Sequence, residues 1–100
     1  MENIIVEAIA KKNRIVIDYN PGERIVEPHA YGISKDGKEL LRAYQISGAS
    51  ASGENINWKL FRVDRIHKLK MISDPFPGPR VEYQENDRAM KGGILAQLAK

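Results

Sequence analysis

Cysteine is absent from this 100-residue chain, which excludes both disulfide bonds and thiolate metal sites. Long apolar stretches are also absent. The longest runs hold only three or four residues, and a membrane-spanning helix needs about 20. Residues 1–12, MENIIVEAIAKK, lack the basic start of a secretory signal. Together these absences predict a cytoplasmic protein that does not associate with membranes.

Positive charge is only slightly in excess of negative charge. The chain has 16 Lys and Arg against 13 Asp and Glu, which gives a net charge of +3. From Lys59 to Lys70, however, five cations accompany a single anion, Asp64. A local basic stripe of this kind suits an anionic partner, although an ordinary solvated strand face has the same composition.

Hydrophobic spacing predicts one helix followed by five strands. The expected elements are a helix over residues 2–12, strands over 14–19, 24–34, 39–47, 58 onward and 67–72, and one helical turn at VDRI, residues 63–66. Pro28 indicates an edge, a bulge or a bend, because proline cannot donate a hydrogen bond to a neighbouring strand. Short strands joined mainly by hairpins after a helix predict an α+β, mainly β fold: a small five-stranded antiparallel barrel.

The chain is expected to form a single domain over residues 1–100, with a core of about residues 3–72. Residues 73–79, SDPFPGP, are expected to end the sheet. Beyond them, Asp87 is a candidate cap for a short helix that Gly92 and Gly93 would interrupt. Residues 73–100 are therefore predicted to form an irregular or short-helical extension.

Three blocks of sequence resemble the WYL domain. They are Arg24-x-Val26-Glu27-Pro28, a hydrophobic strand with Leu41 and Tyr44, and the run FRVDRI at residues 61–66. The likeness covers about residues 3–72. The tripeptide that names the family falls at residues 39–41, where the chain reads Glu-Leu-Leu and keeps only the final leucine.

The resemblance implies a fold and a type of activity. WYL domains have a five-stranded Sm-like barrel and occur in bacterial and phage proteins, often behind a DNA-binding helix-turn-helix in transcription regulators. They are thought to sense nucleic acids or nucleotide-like ligands through a basic patch. No helix-turn-helix precedes the domain in this sequence, so the resemblance implies a standalone member that works beside other proteins.

Four arginines on separate segments form the predicted binding rim. The expected ligand contacts are Arg24, Arg42, Tyr44, Arg62, Asp64 and Arg65. A guanidinium offers a planar fork of donors that suits phosphate, and Asp64 would orient one of these forks through a charge-assisted pair. Tyr44 and Tyr31 would offer ring faces for a base. The hypothesis requires arginine side chains that share one patch, face water and are unmatched by carboxylates.

A purely structural interpretation of the same residues stays open. Arg62, Asp64 and Arg65 would then be an ion-pair cluster that fixes the turn, and Glu27 would pair with Arg24 or Arg42. Trp58, the only tryptophan, is expected to lie in the core, although it too could stack on a base. The two interpretations are compatible, because one arginine can brace the fold while another binds ligand.

No catalytic constellation stands out in the sequence. There is no Gly-rich phosphate loop and no cysteine nucleophile, and no histidine lies near the serines of residues 47–52. His29 and His67 lack partners at metal-ligand spacing. The sequence therefore predicts a non-catalytic regulatory module, without cofactor or metal, that binds single-stranded nucleic acid or a nucleotide.

The alternative function is protein interaction or self-assembly. Small barrels leave edge strands that can pair between chains. The apolar stripe Ile94, Leu95 and Leu98 and the proline-rich arm at Phe76 would then dock on a second copy or on a regulatory protein.

Overall fold

The computed structural model describes residues 1–100 and contains one α-helix and one six-stranded antiparallel sheet. The elements are α1 Glu2–Lys11, β1 Asn13–Tyr19, β2 Gly22–Ile33, β3 Glu39–Gly48, β4 Asn57–Arg62, β5 Lys68–Pro75 and β6 Gly93–Gln97. A 3-10 turn at Val63–Arg65 joins β4 to β5, as the VDRI pattern predicted. The fold is mainly β, and its one helix is neither long nor apolar enough to cross a membrane.

Helix α1 forms where the apolar spacing predicted it. Ile5, Ala8 and Ile9 are its buried residues and pack into the core. Glu2 in the first turn and Lys11 in the last complement the helix dipole. The helix ends at Lys12, which adopts the left-handed conformation and whose backbone N–H caps carbonyls of the last turn.

The sheet is organised around β2, its longest strand. The strand order is β4-β3-β2-β1-β5, and β6 pairs with the second half of β2. The register of β2 with β3 shifts between Pro28 and Ala30, which confirms the bulge among the alternatives that Pro28 indicated. No strand pairing joins β4 to β5, so the sheet is not hydrogen-bonded into a closed barrel.

The expectation of five strands is wrong, because a sixth lies in the C-terminal extension. Gly93–Gln97 forms β6, and no helix follows Asp87. Phe76, Tyr83 and Leu98 join the main core. Met90 forms a second cluster with Ala30 and Leu40. The core therefore extends past residue 72, and residues 73–100 are part of the same packed unit.

The main core lies between α1 and the inner face of the sheet. Its strand residues include Ile15, Ile17, Val26 and Leu41. Phe61, Val63 and Ile66 all point into it, as predicted from the LFRVDRI segment. Burial of these three side chains holds the 3-10 turn against the sheet, and it leaves the charged residues of the turn on the outside.

We expect Gly32→Ala to destabilise the protein, because β6 packs directly over Gly32. A Cβ at this position would lie 2.5 Å from the Gly93 carbonyl oxygen and 2.8 Å from the Met90 sulfur. Overpacking of this kind costs about 1–3 kcal/mol. Gly22→Ala, also in β2, is the matched control, since its Cβ would meet only the Ala49 methyl at 3.3 Å. Equal unfolding free energies for the two variants in urea would contradict the packing of β6.

Candidate binding face on β3 and β4

The pairing of β3 with β4 determines which side chains share a face. Leu40, Arg42 and Tyr44 lie opposite Arg62, Leu60 and Trp58, respectively. Directly opposed residues of antiparallel strands point to the same side of the sheet. These six residues therefore form one surface, which we call the outer face. The residues between them, among them Leu41 and Phe61, are buried in the core on the other side.

Arg24 does not belong to the outer face. It is only 4% exposed and lies on the inner side of the sheet. Its Nε and Nη2 donate to the carbonyl oxygens of Tyr19 at 3.1 Å and Asn20 at 2.7 Å, and its Nη1 donates to the Gln45 side chain at 3.3 Å. Burial lowers its pKa. Arg24 therefore holds the β1–β2 turn, and the expected convergence of four arginines does not occur.

Arg42 and Arg62 lie on the outer face, but each is paired with a carboxylate. Arg42 Nε and Nη2 contact the two Asp87 oxygens at 2.7 and 3.3 Å. Arg62 Nε and Nη2 contact the two Asp64 oxygens at 3.2 and 2.7 Å. Asp64 does form the predicted charge-assisted pair with an arginine, whereas the expectation of unmatched arginines is wrong. The two arginine side chains remain 29% and 35% exposed.

The end of the outer face near the 3-10 turn carries three cations, Lys38, Arg62 and Arg65, and two carboxylates, Asp36 and Asp64. Arg65 is exposed and makes no ion pair. The hydrogen bond from Arg62 lowers the pKa of Asp64, and the charges of Lys38 and Arg65 lower it further. Asp64 therefore stays ionised, and this end of the face keeps an excess of one positive charge.

The tyrosines occupy different environments from those predicted. Tyr31 is completely buried and its hydroxyl donates to Glu39, so it offers no ring face to a ligand. Tyr44 lies on the outer face, but the Arg80 guanidinium covers its ring at 4.5 Å from the centroid. The edge of Tyr44 meets Trp58, with ring centroids 5.4 Å apart. Tyr44 therefore supports the face more than it offers a free stacking surface.

Trp58 lies at the boundary between the core and an open groove. Its ring packs against the core, and its Nε1–H donates to the Val81 carbonyl oxygen at 3.2 Å. The groove, of about 610 Å³, is lined by Arg42, Trp58 and residues 82–88. Three acidic and two basic side chains contribute to its walls, so the groove is of mixed charge.

Glu27 forms an ion-pair network that the sequence did not predict. Its fully buried carboxylate accepts from Arg14 Nε at 3.0 Å, and from Arg80 Nε at 2.7 Å and Nη2 at 3.1 Å. Neither Arg24 nor Arg42 is its partner. Burial alone would raise the pKa of Glu27, but the hydrogen bonds from Arg80 and Arg14 outweigh it and lower the pKa.

His29 is fully buried next to this network and has a defined tautomer. The Arg80 backbone N–H donates to His29 Nε2 at 3.1 Å, so Nε2 is unprotonated. The proton is on Nδ1, which donates to the Glu27 carbonyl oxygen at 2.8 Å. Burial lowers the pKa of the ring. His29 is therefore a structural anchor for Arg80 and for the chain that follows it.

No family model matches the chain, and no curated protein or solved structure matches it. The structure also contains no group of three or more His, Asp or Glu side chains placed to hold a metal ion. The candidate site consists of the outer face and the groove beside it.

We expect acid to destabilise the protein in two stages. The pKa of His29 is lowered from its ordinary value of 6.5, so below that pH the unfolded chain takes up the proton first and the free energy of unfolding falls. The pKa of Glu27 is lowered from 4.5, so its contribution is present above that pH and is lost as the pH falls through its folded-state pKa.

The measurement is urea unfolding between neutral pH and about pH 2, which covers the titration of lowered carboxylates, together with an NMR titration of the His29 ring. The Glu27→Gln variant is the control, since it should keep the first stage and lose the Glu27 part of the second. The lowered pKa values of Asp36, Asp64 and Asp87 leave a smaller acid dependence below it. A His29 ring that titrates at or above its ordinary value would contradict the buried neutral tautomer.

Proposed function

We propose that this protein is a non-catalytic regulatory module that binds a phosphate-bearing ligand on its outer face. The ligand class is single-stranded nucleic acid or a nucleotide. Arg42 and Arg62 supply the phosphate-binding forks, Asp64 orients Arg62, and Arg65 adds charge at the rim. The observation that carries the proposal is the β3–β4 register, which places Arg42, Tyr44, Trp58 and Arg62 on one face.

The spacing of the two arginines supports this proposal. Arg42 is opposite Leu60, and Arg62 is two residues further along β4. Diagonal neighbours of this kind have Cα atoms about 7–8 Å apart, so their long side chains can engage neighbouring phosphates of one extended strand. Exposed pairs such as Arg62 with Asp64 are weak and screened by salt. A phosphate with more charge and more acceptor oxygens can therefore compete for the fork.

Apolar surface beside the arginines supports contact with bases. Leu60 is 40% exposed and lies between Arg62 and Trp58 on β4. Trp58 presents part of its ring to the groove. Single-stranded nucleic acids bind grooves that combine cations for the backbone with aromatic or apolar platforms for the bases. The outer face offers both, although with fewer cations than the sequence predicted.

The strand order supports the expected relationship to WYL domains. We propose that the fold is an Sm-like barrel that remains open between β4 and β5. A helix precedes the strands, β1 to β4 pair in succession, β5 returns beside β1, and a 3-10 turn connects β4 to β5. By the same resemblance we propose a cytoplasmic protein that works with regulatory partners in a bacterium or phage.

We expect Arg42→Ala/Arg62→Ala to weaken binding of a fluorescein-labelled oligodeoxythymidine of about 15 nucleotides. Each lost charge-assisted contact should reduce affinity about tenfold or more. If the parent makes two phosphate contacts, its affinity should fall about sevenfold between about 50 and 200 mM salt, with a shallower slope in the variant. The measurement is fluorescence anisotropy, with ATP as competitor to separate nucleotide binding from strand binding.

Lys68→Ala/Lys70→Ala is the matched control, because it removes two exposed strand cations outside the outer face. It should bind nearly as well as the parent. Equal losses in the two double variants would mean that only net charge attracts the oligonucleotide. If the Arg42→Ala/Arg62→Ala variant is folded and binds like the parent, the two arginines only stabilise the fold and do not bind the ligand.

Self-assembly through edge strands is the second candidate function. Strands β4 and β5 end the sheet, and each has a partner on one side only. The Trp58 and Arg62 N–H groups donate to side chains. Leu60 lies between these two residues at the same strand period, so its N–H and C=O are expected to face away from β3 as well. Phe76 and Leu98 are buried, which removes them from the docking surface that the sequence suggested.

If β4 pairs with another copy, Leu60→Pro should abolish the association and preserve the fold, because proline is tolerated where an edge N–H faces outward. Leu60→Ala is the control and should associate like the parent. The measurement is light scattering coupled to size exclusion over a wide concentration range. A parent protein that stays monomeric throughout would exclude self-assembly.

A further inference from the structure

A segment of the C-terminal region, residues 80–87, contacts the side chains of the outer face to which we assign ligand binding. Asp87 takes the Arg42 fork, and the Arg80 guanidinium covers the Tyr44 ring. Between them, the Val81 carbonyl oxygen accepts from Trp58 Nε1. The groups that we assign to ligand binding are therefore already engaged by the protein's own chain.

The part of this segment that carries Asp87 is a loop between two anchors. Tyr83 and Met90 are each only 3% exposed, and the Tyr83 hydroxyl donates to the Leu98 carbonyl oxygen at 2.8 Å. The residues between the anchors, 84–89, are mostly exposed. We call them the 84–89 loop. The anchors keep its two ends in the core, and its middle lies on the surface beside the groove.

Two polar side-chain connections join the 84–89 loop to the sheet, and Ala89, next to the Met90 anchor, packs against the cluster of Ala30, Leu40 and Met90. One is the Arg42–Asp87 ion pair. The other joins Asn86 to Gln97 of β6: the Asn86 N–H donates to Gln97 Oε1 at 2.9 Å, and Gln97 Nε2 donates back at 3.4 Å. Apart from Ala89 at its anchored end, the loop is held by one ion pair and one amide pair, so its middle can open without unfolding of the core.

The Asp87 carboxylate contacts Arg42 in the way that a phosphate would. Its two oxygens face Nε and Nη2 of the guanidinium, which is the paired geometry that arginine also offers to phosphate. The Asp87 side chain is 11% exposed, and the groove opens beside it. Burial alone would raise the pKa of Asp87, but the hydrogen bonds from Arg42 and the Ala89 N–H lower it, so the group is an anion.

We propose that Asp87 is an internal competitor for Arg42, and that the 84–89 loop is a lid that a phosphate-bearing ligand displaces. A phosphate and the Asp87 carboxylate cannot both occupy the Arg42 fork, since like charges at this distance repel. Binding at Arg42 therefore requires the carboxylate to leave, and the loop moves between its fixed ends at Tyr83 and Met90. This inference rests on the proposed function and adds regulation to the same site.

Asp87→Asn tests the competition directly. The variant keeps the shape of the side chain but loses the charge that holds Arg42. We expect its affinity for the labelled oligodeoxythymidine to rise about fivefold or more, the usual scale of such coupling. Glu85→Gln is the matched control in the same loop, because Glu85 makes no ion pair and the net charge changes equally. Equal affinity gains in the two variants would overturn the proposal.

Amide hydrogen exchange in the parent protein tests the movement of the lid. Addition of the oligodeoxythymidine should accelerate exchange of the Asn86 amide, because lid opening breaks its bond to Gln97. A ligand that simply covers the loop would slow that exchange. Slower or unchanged exchange at Asn86 while the oligonucleotide is bound would overturn the proposal.

The two proposals fail in different ways. Parent-like binding by the Arg42/Arg62 double variant, or no binding by any variant, refutes the outer face as the ligand site, and the lid proposal fails with it. Weak binding by the double variant, together with matched affinities for Asp87→Asn and Glu85→Gln, refutes the lid and keeps the outer face. An unchanged far-ultraviolet circular dichroism spectrum and a cooperative urea transition in each unliganded variant check that the core remains folded.

Discussion

The buried carboxylate of Glu27 is the interaction on which the arrangement of the site depends. It lies in β2 and accepts hydrogen bonds from Arg14 of β1 and from Arg80 of the C-terminal region. Asp74 of β5 completes the network by pairing with Arg14 at 2.9 Å. Removing one partner of a buried pair typically costs about 3–5 kcal/mol, because the remaining charge has no solvation. If the C-terminal region left the sheet, the Glu27 carboxylate would lose Arg80, one of its two partners.

His29 strengthens this attachment and determines the direction of the chain that follows. Its ring packs against Trp58, Phe76 and Tyr83, and its Nε2 holds the Arg80 backbone N–H. Arg80 is thus fixed through both its backbone and its side chain. Since Val81 is the next residue, its carbonyl oxygen lies within reach of the Trp58 indole. The packing that stabilises the fold also brings the C-terminal region onto the outer face.

The two arginines of the outer face differ in how their carboxylates are held. Asp64 follows Arg62 by two residues and lies in the 3-10 turn, so the turn keeps this carboxylate beside Arg62. Asp87 lies 45 residues from Arg42 and depends on the position of a surface loop. The surroundings of Arg62 are therefore set by its own turn, whereas those of Arg42 depend on the loop. Under the proposed function, only the fork of Arg42 would depend on the position of the loop.

The sequence by itself determined the features that depend on near neighbours along the chain. Helix α1, the strands up to β5, the inward positions of Phe61, Val63 and Ile66, and the Arg62–Asp64 pair all follow from local spacing. The side of the sheet that Arg24 occupies did not follow, because Ile25 and Val26 are both apolar and the alternation of the strand is ambiguous there.

Only the tertiary structure decided which charges meet across long separations. Glu27 selects Arg14 and Arg80, 13 and 53 residues away, over the nearer or more obvious Arg24 and Arg42. The sixth strand forms from a weakly patterned segment because β2 extends beyond β1 and leaves an edge that β6 can pair with. Local propensity determines secondary structure and adjacent pairs, whereas partners that are distant in sequence depend on the packing of the whole chain.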